Sequence, residues 1–185
     1  IATPYGHLLK SIELEIEDAE DSYAWSYVNP FALLHVLCTE VPKFAEFLRR
    51  CYESTAESLH KVALYTDEAT PGSQNRPDTS RQVQCYYWTL LVWPHWYRRR
   101  LYGWLPFGLM RTSQQYDVEG ALSCILRHVL HVFFSPDSFN LAVGMRLPCS
   151  TQGDEYFFIC MQCGCIIQDY KAHQFTNMSK GPQGT

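Results

Sequence analysis

Apolar and polar residues alternate strictly from Ser11 to Glu17. Ile12, Leu14 and Ile16 fall on one side, and Glu13, Glu15 and Glu17 on the other. A period of two predicts a half-buried strand with a charged outer face. A short amphipathic helix is the competing element, because Glu and Leu are good helix formers. The acidic run from Glu17 to Asp21 then reads as a solvated turn. At Asn29-Pro30 the chain has an N-cap residue followed by a proline suited to a first helical position, which predicts a short buried helix from Phe31 to Cys38. Thr39 can cap again, and Pro42 is tolerated in a first turn. Phe44, Phe47, Leu48, Cys51, Tyr52, Thr55, Leu59, Val62 and Ala63 recur at spacings of three and four, with Lys43, Glu46, Arg49, Arg50, Glu53, Glu57 and Lys61 opposite. That is the pattern of an amphipathic helix over about residues 40–65.

Residues 66–80 are rich in Asp, Pro, Gly, Ser and Asn and read as a linker or long loop. Val83 to Trp93 is β-prone until Pro94 breaks it. Trp96 to Gly103 is basic and aromatic, and a bend follows from Trp104 to Gly108. Val118, Leu122, Ile125, Leu126, Val129, Leu130 and Phe133 mark a further amphipathic helix, closed by Ser135-Pro136-Asp137. Phe139, Leu141, Val143, Met145 and Leu147 alternate as a strand. The chain turns over residues 148–154, returns over 155–160 and continues as a short strand from Cys165 to Gln168. No internal repeat is visible.

These elements predict an α+β fold: an N-terminal helical part, then a small mixed or antiparallel sheet with a helix and a zinc knuckle. The expected divisions are 1–66 (acidic strand and helices), 67–80 (linker or long loop), 81–175 (α+β part with the cysteine knuckle) and 176–185 (flexible tail). A hydrophobic fraction of 46% against 18% charged residues is enough to bury a core. No apolar run approaches the ~18 residues of a membrane helix, and no signal peptide is visible. Because the chain begins at Ile1, it reads as a processed or trimmed piece.

Charge is unevenly spread. Residues 1–80 carry six basic and thirteen acidic side chains, whereas residues 81–111 carry five arginines and no acid. A basic segment set in an acidic chain points to an anionic partner.

Of eight cysteines, Cys38, Cys51, Cys85 and Cys124 stand singly in apolar segments, where a free thiol acts as a small core residue. The expected compartment is therefore reducing. The rest gather from Cys149 onward, in Cys160-Met161-Gln162-Cys163-Gly164-Cys165. Cys-x-x-Cys with a glycine behind it suits two thiolates on one tetrahedral ion. Cys149 and His173 are the candidate further ligands, and Cys165, His128 and His131 are also available. Free thiols and a redox dithiol are the alternatives, although a dithiol belongs at a helix N-terminus. The expected cofactor is a structural zinc.

In the basic–aromatic segment, Arg98, Arg99 and Arg100 stand among Trp93, Trp96 and Trp104. Arginines neutralise phosphates and aromatics stack on bases. The same residue types make protein-binding hot spots, and a core strand ending in a solvated arginine turn is the plain alternative. No phosphate loop, Gly-x-Ser-x-Gly or His-Glu-x-x-His occurs, and the His-x-Glu and Pro-Cys-x-x-Cys of zinc deaminases are missing. No catalytic set can be assembled from spacing, so a non-enzymatic protein is expected.

Val83-Gln84-Cys85 with the following aromatics, Trp104-Leu105-Pro106, a helix near Cys124, and a hairpin leading into Cys160-x-x-Cys163 and Ile166-Ile167-Gln168-Asp169 come in an order that resembles the transactivators of foamy (spuma) viruses, Tas, over about residues 80–170. The resemblance extends to the related accessory protein Bet. It implies a viral, non-enzymatic regulator of transcription that binds DNA, with Cys160, Cys163 and His173 as metal ligands. The Bet side implies instead an accessory protein of the host–virus interaction that sequesters a host protein such as a cytidine deaminase. Against the Tas pattern, the chain has no strongly basic region after the knuckle, and its net charge is −4. The expected partner is DNA or a host protein, with no membrane and no small-molecule substrate identified. The expected location is inside the infected cell, nuclear or cytoplasmic.

Overall fold

In a computed structural model of the chain the described residues are 1–17, 20–55, 60–70, 81–149 and 155–168. In chain order they form β1 (Ala2–Thr3), β2 (Gly6–His7), β3 (Leu9–Glu15), β4 (Ser22–Val28), α1 (Pro30–Glu40), α2 (Pro42–Glu53), β5 (His60–Ala69), β6 (Val83–Leu90), α3 (His95–Arg98), a 3-10 turn (Leu101–Gly103), β7 (Leu105–Arg111), α4 (Thr112–Asp117), α5 (Ala121–Phe134), β8 (Met145–Pro148), β9 (Tyr156–Ile159) and β10 (Met161–Ile167).

Six strands join in one sheet of order β10-β5-β6-β7-β4-β3. Every neighbouring pair is antiparallel except β10 with β5, which is parallel. A helical N-terminal part beside a small sheet is therefore not what the chain builds. β3, β4 and β5 supply half of the sheet, and the sheet is the main layer of the fold.

The physical reason lies in residues 60–69. The helix expected over residues 40–65 ends at Glu53, and β5 begins at His60. Val62, Ala63 and Leu64 are all buried. A short run buried on both faces carries no period that separates helix from strand. The neighbours decide: Val62 pairs with Leu90, Leu64 with Trp88 and Thr66 with Tyr86 across the β5–β6 ladder.

The expected strand from Phe139 to Leu147 also shrinks, to β8. The side chain of Asn140 accepts the Ala142 N–H at 2.8 Å, its carbonyl accepts those of Val143 and Gly144, and Gly144 takes φ 102°. An Asx turn competes with the sheet ladder here and wins. β3 takes in most of the alternating acidic strand, and α5 most of the helix expected from Val118 to Phe133. The bend expected from Trp104 to Gly108 is instead the start of β7, held in the sheet by the pairing of Leu105 with Trp88, and residues 66–69 of the expected linker complete β5 against β6. Asn29 caps α1, its side chain accepting the Phe31 N–H at 3.2 Å.

Even-numbered residues of β5 and β6 form the core face, and α5 docks on it through Phe133. The Phe133 ring meets Trp88 edge-on at 5.4 Å and stacks on Phe107 at 5.8 Å. Trp25 meets Tyr86 at 5.2 Å beside them. Each such ring, fully buried, contributes about 1.5–3 kcal/mol, so this cluster fixes α5 to the sheet. No helix among the described residues is long and apolar enough to cross a membrane.

Candidate nucleic-acid interface

The expected zinc knuckle is not formed. A knuckle needs the chain to turn between its two cysteines, but Cys163 lies within β10, and Cys160 immediately precedes that strand. Residues three apart in extended chain are separated by about 10 Å, too far to share one tetrahedral ion. Backbone contacts pin Cys160 there: its N–H donates to the Tyr52 hydroxyl at 2.8 Å, and its carbonyl accepts the His60 N–H at 3.3 Å. Its thiol donates to the Val143 carbonyl at 3.6 Å. Cys149, after β8, bonds through its N–H to the Glu155 carbonyl, and His173 lies outside the described residues. Among the described residues, no group of three or more His, Cys, Asp or Glu side chains is placed to hold a metal.

Gly164, taken from sequence as the turn of the knuckle, serves a β-bulge. The register with β5 shifts between Cys163, opposite Val62, and Cys165, opposite Ala63. A Cβ at Gly164 would come within 2.9 Å of the Lys61 Cβ and 3.2 Å of the Val62 carbonyl oxygen. The glycine is there for close approach of two strands.

The basic–aromatic segment forms the connection from β6 to β7, and it sorts its residues cleanly. Trp93 is core, at 1% exposure. Trp104 is half-buried, its ring 5.5 Å from Tyr65 and its Nε1–H donating to the Arg98 carbonyl at 2.9 Å. Arg98 in turn donates from Nε to the Trp93 carbonyl at 2.9 Å. Gly103 sits so close under the turn that a Cβ would meet the Tyr97 carbonyl oxygen at 2.3 Å, and its own carbonyl accepts the Thr89 hydroxyl at 2.6 Å. These contacts fix the backbone of the connection.

What the connection holds outward is Trp96 (60% exposed), Leu101, Tyr102 (57%), Arg99 and Arg100. Trp96 is braced by Phe47 of α2 at 6.2 Å and by Tyr97 at 5.6 Å. Tyr102 leans on Tyr97 at 5.0 Å. Of the six residues singled out by sequence, Trp96, Arg99 and Arg100 share the exposed surface. Arg98 and Trp104 brace it from behind, and Trp93 anchors it in the core. Tyr102 belongs with the exposed group. The signal for it was present, an aromatic next to an arginine run with no carboxylate nearby.

At the opposite end of the sheet, β5 and β10 finish side by side, Tyr65 opposite Ile167. Asp67 and Glu68 follow at the carboxyl end of β5. The Asp67 carboxylate accepts the Tyr65 hydroxyl at 2.7 Å and the Glu68 N–H at 2.9 Å. Glu68 accepts the Thr112 hydroxyl at 3.0 Å. Beneath it lies a buried polar layer: Gln84 donates to Thr66, and Tyr86 donates to Gln115 at 3.0 Å. Arg111, opposite Val83, brings positive charge to the same end. Sequence reading placed Asp67 and Glu68 in a linker and missed their neighbourhood, which only the crossover to β10 creates.

No protein-family model, curated protein or solved structure matches the chain. The likeness to the foamy virus transactivators therefore rests on the residues quoted for it.

Proposed function

We propose that the protein binds nucleic acid through the connection between β6 and β7. The observation that carries this reading is the company kept by Arg99 and Arg100. Both are exposed beside two exposed, braced aromatic rings, in a stretch of 31 residues without a carboxylate. Guanidinium groups release counterions from phosphates, and an exposed aromatic ring offers a stacking platform for an unpaired base. Bracing matters energetically, since a ring already fixed by Phe47 and Tyr97 loses little rotamer freedom on binding. Single-stranded nucleic acid fits this arrangement better than a duplex, because the aromatic groups need free base faces. The test is binding of a fluorescent oligonucleotide by the Arg99→Ala/Arg100→Ala and Trp96→Ala variants. A salt-insensitive complex with a protein that is lost on Trp96→Ala would point instead to a protein-binding surface.

A further inference from the structure

α5 and the edge strand β3 run alongside each other and leave a groove between them. Two adjoining cavities make it up, of about 350 and 520 Å³, and His128 lines both. The smaller has aromatic walls, with Tyr5, Tyr27, Phe31 and Phe139 around it. Tyr5 meets Phe139 edge-on at 5.1 Å, and Phe139 is 51% exposed. The larger opens at the first turn of α5 and presents Glu13, Glu15 and Glu119 with Cys124 and Arg127.

Charge in the groove is lopsided. Among the described residues no ion pair reaches any of the three carboxylates. Glu13 accepts the Ser22 hydroxyl at 2.9 Å. Arg127, the one guanidinium on this wall, directs Nη2 at the Cys124 sulfur, 3.6 Å away. Burial, with Arg127 and His131 nearby, holds the pKa of His128 below its ordinary value, so at neutral pH it adds no charge midway. Lys10 lies at the aromatic end, its stem against Gly6.

A cavity of a few hundred Å³ with apolar walls and a few polar groups is the size and character of a small-ligand site. Aromatic faces and uncompensated carboxylates both favour a cation. We propose that this groove binds a small organic cation with an aromatic body, its ring among Tyr5, Tyr27 and Phe139 and its ammonium at Glu15 and Glu119. The two cavities meet at His128, so the ring and the ammonium are separated by a short alkyl chain. This site is independent of the β6–β7 connection and of the carboxyl end of β5.

Cys124 supplies the readout, since it lines the acidic cavity. Its alkylation by iodoacetamide is followed by peptide mass spectrometry with 4-phenylbutylamine, the isosteric 4-phenylbutyrate, or 4-phenylbutanol present, Cys163 serving as the internal control. The amine is expected to slow labelling of Cys124, and not of Cys163, at concentrations where the acid and the alcohol do not. Glu15→Gln and Glu119→Gln, both at exposed positions, each weaken protection about two- to fivefold. Phe139→Ala weakens it while keeping the preference for the amine. Equal protection by amine and acid, protection by the acid alone, full protection in the double glutamine variant, or no protection by any of the three overturns the proposal.

Discussion

The indole N–H of Trp104 donates to the carbonyl of Arg98 at 2.9 Å, tying the last residue of the basic connection to the residue that opens its arginine run. Together with the Arg98 bond to Trp93, this closes the backbone around Arg99 and Arg100. Trp104→Phe keeps most of the ring packing against Tyr65 and removes the hydrogen bond. The expected cost is about 1 kcal/mol in denaturant unfolding. Oligonucleotide affinity should fall less than in the arginine variants, because the charges remain.

Gly103 makes a sharper test of the same packing. Gly103→Ala drives a methyl into the Tyr97 carbonyl, with a Cβ–oxygen distance of 2.3 Å before relaxation. About 1–3 kcal/mol of destabilisation is expected, with hydrogen exchange rising first in residues 95–103. An unchanged melting curve would show that the connection is looser than described.

Gly164 and its flanking cysteines distinguish a bulge from a knuckle. Gly164→Ala should cost about 1–3 kcal/mol, since its Cβ would press on Lys61 and the Val62 carbonyl. Cys163→Ser, at an exposed position on β10, should change stability by no more than about 0.5 kcal/mol. The reverse order of effects, or unfolding by a zinc chelator, would restore a metal to this strand.

Alkaline pH should find the buried thiol of Cys38. Burial first, and Cys149 second, push its pKa from 9.0 up to about 12. A folded-state pKa raised above the unfolded one leaves stability intact below pH 9.0 and erodes it as pH rises toward 12. The loss is about 1.4 kcal/mol per pH unit in that window. Burial also raises the pKa of Cys51, so part of the slope persists in Cys38→Ala. The comparison is between slopes at about pH 8.5–9.5, where the thiols of the unfolded chain titrate ahead of its tyrosines, whose ordinary value is 10.0. A slope unchanged in Cys38→Ala would place that thiol in contact with solvent.

Sequence pattern revealed the parts of this fold whose periods were unambiguous. β3 was visible because Ile12 and Leu14 alternate with glutamates, and α1 because Asn29 caps and Pro30 follows. α5 was visible because Leu122, Ile125, Val129 and Phe133 keep helical spacing. β5 was hidden because Val62, Ala63 and Leu64 are buried on both sides of the sheet, so no period survives to read. The cysteine spacing misled for a related reason: Cys-x-x-Cys with a glycine looks the same in a turn and beside a bulge, and only the pairing of Cys163 with Val62 and Cys165 with Ala63 separates them. At the basic connection, composition brought out Trp96, Arg99 and Arg100 but could not sort them from Trp93. Adjacent tryptophans with the same chemistry differ only in which way the chain turns after Pro94. The neighbourhood of Asp67 was out of reach, because the sequence carries no sign that β10 would cross over to pair with β5.

The measurement that bears most directly on the central proposal is the salt dependence of oligonucleotide binding. Log affinity should fall linearly with log salt concentration, with a slope of roughly −0.7 per phosphate neutralised on a single strand. Arg99→Ala/Arg100→Ala should make that slope shallower by about 1.4 and weaken binding at low salt most. Trp96→Ala should lower affinity by about 1–3 kcal/mol with the slope unchanged. Binding whose strength and salt slope are the same in the wild-type protein and the double arginine variant would contradict the assignment of this surface to nucleic acid.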